Sequence, residues 1–116
     1  MVKARFELTG KGTLVLTLSG HAGAAPAGAD TVCAAASMLA YTVAQEVLEM
    51  EGKGKLRKKA RIQLDKGEAL ITCKPKKSAW SEALHLYKVA QTGYRLLAAN
   101  FPENVQVKNV LKGQGP

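Results

Sequence analysis

The sequence predicts a single α+β domain in which an antiparallel sheet packs on two helices, in the order ββαββαβ. Three observations carry this reading. Short stretches near the start and middle alternate apolar and polar residues, the period of half-buried strands. Two longer stretches repeat apolar residues at helical spacing. Glycine or proline punctuates the joints between them. With 116 residues there is room for one core, so the whole of 1–116 is taken as one domain.

Residues 2–9 set Val2, Ala4, Phe6 and Leu8 against Lys3, Arg5, Glu7 and Thr9, which is a strand. Gly10-Lys11-Gly12 turns the chain, and Leu14, Leu16 and Leu18 line one side of a second strand over 13–19. A pliable loop over 20–30 follows, with Gly20, Gly23, Pro26 and Gly28 and no bulky side chain. A helix is predicted over 31–51, started by Asp30 as N-cap, with Val32, Ala36, Leu39, Val43, Val47 and Met50 at helical spacing. Its last turn is acidic (Glu46, Glu49, Glu51), which opposes the helix dipole and predicts nearby basic partners in 53–61. Strands over 58–65 and 68–74 are joined at Lys66-Gly67. A second helix over 78–100 carries Trp80, Ala83, Leu84, Tyr87, Ala90, Tyr94 and Leu97 on one stripe, and Val105, Val107 and Asn109 make a last strand.

Composition removes several classes. Apolar residues make up 47% and charged residues 22%, a globular balance that excludes a disordered or collagen-like chain. The first eight residues alternate instead of forming an apolar run, so no signal peptide is expected. The most apolar stretch, Val32 to Ala44, is shorter than the roughly 20 residues a span requires, so no membrane partner is expected and a cytoplasmic location is. Cys33 and Cys73 are too few for a zinc knuckle or a disulfide framework.

Charge is concentrated. Between Lys53 and Lys77 lie ten Lys and Arg against Asp65 and Glu68, which accounts for the whole net charge of +8. Such a stripe fits a nucleic-acid contact, yet no aromatic residue lies within it to stack on bases.

The chemistry-bearing segment is 19–37, whose single formal charge is Asp30. Here the spacing sets His21 at a strand end and Cys33 in the first turn of a helix, at position N3 if Asp30 is the cap. A thiol there feels the positive end of the helix dipole, which favours the thiolate, and the unbonded N–H groups of that turn could hold an oxyanion. His21 could take the thiol proton and return it to a leaving amine. Against this stands the plainer reading of Cys33 as a small buried hydrophobe. Asp30 either caps the helix or orients His21, and Ser37, one turn beyond Cys33, either lines the pocket or bonds back to the helix. Cys73, in a strand pattern, reads as packing, and His85 as solvated.

The segment Gly20-His21-Ala22-Gly23, followed by Gly28-x-Asp30-x-Val32-Cys33-Ala34-Ala35-x-Ser37, resembles the signature of the ribosomal-processing cysteine protease family (Prp). The resemblance implies a homodimeric bacterial cysteine protease without metal or organic cofactor. It implies Cys33 and His21 as the catalytic pair, with Asp30 the matching acidic position. The implied substrate is a large-subunit ribosomal protein, L-twenty-seven, whose N-terminal extension is removed. Gly20, Gly23 and Gly28 would let the loop open for the peptide and close over it, and ribosome association is a further expectation. The alternative reading is a non-catalytic RNA- or ribosome-binding domain that uses the 53–77 stripe.

Overall fold

The computed structural model describes residues 1–20, 27–65, 67–108 and 111, and of 27–30 the backbone alone. Five strands and two long helices follow in the predicted order: β1 (Val2–Thr9), β2 (Thr13–Ser19), α1 (Ala27–Gly52), β3 (Ile62–Asp65), β4 (Glu68–Cys73), α2 (Trp80–Asn100) and β5 (Val105–Lys108). A single 3₁₀ turn, Lys77–Ala79, leads into α2.

The strands form one sheet in the order β3-β4-β2-β1-β5. All neighbours pair antiparallel except β1 and β5, which are parallel. That one parallel pair follows from connectivity. Since β1 and β4 both run against β2, they point the same way, and a helical crossover from β4 returns β5 in that direction as well. The α1 crossover moves from β2 toward one edge, and the α2 crossover moves from the oppositely directed β4 toward the other. With both crossovers right-handed, both helices land on the same face.

Alternation in the strands then decides what each face holds. Val2, Ala4 and Phe6 of β1, Leu14, Leu16 and Leu18 of β2, and Ala69, Ile71 and Cys73 of β4 are buried beneath the helices. Helix α1 contributes Val32, Ala36, Ala40, Val43, Val47 and Met50, and α2 contributes Trp80, Ala83, Tyr87, Ala90 and Tyr94. Each large side chain buried this way is worth about 1.5–3 kcal/mol against exposure. Both tyrosines keep their hydroxyls satisfied: Tyr87 donates to the Ile71 carbonyl at 3.0 Å and Tyr94 to the Ala36 carbonyl at 2.8 Å. The Tyr94 ring also meets Phe6 edge-on, with centroids 5.9 Å apart. At Gly93 the helices come close, for a Cβ there would sit 2.9 Å from Leu39.

Several boundaries differ from the sequence reading. Helix α1 begins at Ala27, not Thr31, so Gly28 and Asp30 belong to the helix and the connection after β2 is shorter than 20–30. Alanine is the best helix former, and Ala27 and Ala29 favour a helix that begins ahead of the supposed cap. Strand β3 begins at Ile62 and not Lys58, because the polar groups before it are taken elsewhere. The Ala60 N–H donates to Glu51 Oε1 at 2.6 Å, and the Arg61 N–H to Thr72 Oγ1 at 2.9 Å. The acidic helix end thus finds a backbone partner in the basic segment, not a basic side chain. The segment Thr31–Gly52 is also long and apolar enough to cross a membrane by length and composition. Its inward residues nevertheless pack on the sheet, as those of a core helix do.

Candidate active site

The sequence chemistry centres on the passage from β2 into α1. β2 ends at Ser19, and Gly20 turns the chain with φ +87°, a conformation that favours glycine. A Cβ at Gly20 would collide with the Met1 carbonyl, so this glycine is required twice over, by its dihedral and by its neighbour. The second requirement is invisible in local sequence, since it depends on where β1 begins. His21 and Gly23 lie outside the described residues.

Cys33 is half-buried and packs against the hydrophobic core from α1. It is the seventh residue of the helix, not N3. Among the described residues the N–H groups that the helix start leaves without internal acceptors are therefore those of 27–29, and the turn of Cys33 is already inside the ladder. The expected oxyanion donors at Cys33 itself are corrected accordingly. Helical side chains lean toward the N-terminus over the residues three and four before them, so the Cys33 thiol is directed toward the start of the helix. The half-buried Ser37 follows one turn later.

The other thiol is placed very differently. Cys73 ends β4 on the inward face and is fully buried. Burial, with the Glu82 carboxylate adding to it, pushes its thiol up to about 12. It stays protonated at neutral pH and has no access to a peptide, so it is unsuited to nucleophilic attack. His85 is exposed on α2, as the sequence predicted.

Two grooves of about 280 Å³ each run along the open face of the sheet and share Thr17 and Ser19. One passes Lys3, Arg5 and Glu7, and the other Gln63, Asp65 and Glu68. They meet at the β2 end that leads toward Cys33. A third groove, about 460 Å³, lies between the helices and is lined by Glu46, Glu49, Met50, Glu82 and His85 among others. It touches none of the residues expected to do chemistry. Among the described residues no group of three or more His, Cys, Asp or Glu could hold a metal ion.

The described residues thus set one half-buried thiol on α1, in a mixed sheet covered on one face by two crossover helices. The family model of cysteine protease Prp matches residues 1–106, and the chain belongs to that family: it is a cysteine protease. This removes the non-catalytic alternative. Among solved structures, the chain resembles the essential ribosomal processing protease Prp of S. aureus with a covalently linked product peptide, with a TM-score of 0.68 and 19% identity over 93% of this chain and 98% of that one. The same S. aureus protease with a substrate peptide gives 0.68 and 16%, over 94% and 100%. The protein SMU.848 of Streptococcus mutans gives 0.67 at 27% identity, over 97% and 96%. No curated protein matches the chain.

Proposed function

We propose that the protease removes the N-terminal extension of the large-subunit ribosomal protein L-twenty-seven, with Cys33 as nucleophile and His21 as general base and acid. The observation that carries the assignment of the nucleophile is the contrast between the thiols. A cysteine protease with two cysteines, one sealed in the core and held protonated, has Cys33 left for the chemistry.

In this mechanism His21 takes the Cys33 proton as sulfur attacks the scissile carbonyl carbon, forming the C–S bond. The resulting oxyanion is best served by the N–H groups of residues 27–29, toward which the thiol leans. Collapse breaks the C–N bond, and His21 returns the proton to the departing amine. Water, deprotonated by His21, then cleaves the thioester and regenerates the thiol. Asp30 either orients His21 or serves the helix start, and Ser37 borders the same helix face. The two grooves that meet at Thr17 and Ser19 suit an extended peptide laid across the strand end.

The same reading has the enzyme working in the cytoplasm, in association with ribosomal material, as a homodimer. Dimerisation is supported by the outward face of the helical layer, where Met38 and Leu96 are 62% and 60% exposed and Tyr41, Leu48 and Val89 also reach solvent. Leu96→Glu is expected to yield monomers by light scattering.

The cleavage test uses purified protein and L-twenty-seven bearing its extension, with products read by mass. Wild type is expected to release the extension, and Cys33→Ser to lose at least about 1,000-fold in rate. Intact substrate with wild type, or equal cleavage by Cys33→Ser, overturns the proposal.

A further inference from the structure

The basic stripe in 53–77 is more than a run in sequence, because the fold doubles it back on itself. After α1 the chain turns at Gly54, with φ +71°, and runs antiparallel to the residues that follow β4. The Lys76 N–H donates to the Lys55 carbonyl at 2.8 Å and the Arg57 N–H to the Lys74 carbonyl at 2.7 Å, around a bridge between Leu56 and Pro75. Leu56 and Pro75 are buried. Since successive side chains of an extended segment point to opposite sides, Arg57 on one strand and Lys76 on the other face outward, with Lys74 half-buried beside them and the Lys55 ammonium turned to Glu82 of α2. Lys53, Lys58, Lys59, Arg61 and Lys77 are exposed around them.

Few acids answer this charge. Lys55 pairs with Glu82 at 2.7 Å, which is the one salt bridge among the described residues. The Glu51 carboxylate is engaged by the Ala60 backbone. The ribbon therefore presents a dense positive field held by backbone hydrogen bonds.

We propose that this ribbon is a docking surface for the phosphate backbone of folded RNA. Arg and Lys side chains supply charge-assisted bonds to phosphate, and the absence of any aromatic residue within 53–77 leaves no platform for stacking unpaired bases. Duplex backbone is the form of RNA that such a surface recognises. The choice of RNA over other polyanions rests on the ribosomal substrate proposed above. Register places the ribbon far from the catalytic end: β2 pairs with β4 from Leu18–Ala69 to Leu14–Cys73, and the ribbon continues beyond Cys73 while Gly20 lies beyond Leu18. Eight residues of strand separate them along the sheet, roughly 26 Å. An RNA held there leaves the peptide grooves open, so docking and cleavage can occur on one molecule.

The test is fluorescence anisotropy of a labelled duplex RNA against salt, with peptide cleavage measured in parallel. About five phosphate contacts give a slope of log affinity on log salt near −4.5, or about 500-fold weaker binding between roughly 50 and 200 mM salt. The quadruple variant Arg57→Gln, Lys59→Gln, Lys76→Gln and Lys77→Gln is expected to lose at least about 30-fold in affinity at the lower salt and to flatten the slope by about 3 to 4. Cleavage of the free extension peptide should be unchanged. No RNA binding at low salt, equal binding by the variant, or preference for phosphatidylglycerol vesicles over RNA overturns the proposal. So does slower cleavage of the free peptide by the variant, which would assign the ribbon to the substrate site. RNA binding that depends on these side chains, in a chain that cleaves no ribosomal protein, would break the proposed substrate and leave the docking surface standing.

Discussion

Two cysteines occupy the two ends of this molecule, and their surroundings are opposites. Cys33 is half-buried near the start of α1, at the end where β2 leaves the sheet. Cys73 is sealed at the far end of β4, beneath α2 and next to the basic ribbon. Tyr87 reinforces the second site: its hydroxyl ties to the Ile71 carbonyl two residues away, and burial, with Cys73 adding to it, raises its own pKa well above the ordinary value. Same side chain, same chain, two fates. Reactivity is set by what encloses the thiol, and the sheet register decides which thiol is enclosed.

The sharpest way to break this contrast is at Gly20. Alanine there must adopt φ +87° and push against the Met1 carbonyl. A loss of about 1–3 kcal/mol is expected by denaturant unfolding, with activity falling as the β2 end shifts. An unchanged stability would mean that this end is looser than the geometry requires.

Alkaline titration probes the opposite end. Cys73, Tyr87 and Tyr94 all have folded pKa values raised by burial, so the folded chain holds protons that the unfolded chain releases. Stability from these groups is complete below the unfolded thiol value of 9.0 and is lost as pH climbs through the raised values. Thermal midpoints should fall above about pH 9, and Cys73→Ala should soften the onset. A midpoint flat to pH 11 would contradict the sealed surroundings.

Smaller effects separate the packing from the surface. Tyr94→Phe removes the bond to the Ala36 carbonyl and should cost about 1 kcal/mol, because it leaves a buried helix acceptor with one partner fewer. Lys55→Ala breaks the pair with Glu82, both partly exposed, and should cost no more than about 0.5 kcal/mol. A larger loss at Lys55 than at Tyr94 would invert the ranking of core over surface.

Much of this was legible in the sequence, and the failures are informative. Period-two alternation named the inward residues of β1 and β2, apart from Leu8, which is 40% exposed, and the Trp80–Leu97 stripe named the face of α2 that meets the sheet. The Cys33–His21 segment stood out from its residue types, and Cys73 was read as packing, where it is found. The start of α1 differs from the expected one because Asp30 resembles a cap in the local pattern but lies inside a helix that begins at Ala27. The late start of β3 depends on Glu51 and Thr72 reaching the 60–61 backbone from other elements, which local pattern does not carry. The parallel β1–β5 pair was a consequence of crossover topology and not of any residue in β5.

Under the proposed function Cys33 alone is the working thiol. The most direct test is alkylation of the native protein with iodoacetamide, followed by peptide mapping and a cleavage assay of the same sample. One modification per chain is expected, at Cys33, with activity lost in step and Cys73 labelled only after unfolding. Labelling of Cys73 in the native state, or full activity in a chain blocked at Cys33, would contradict it.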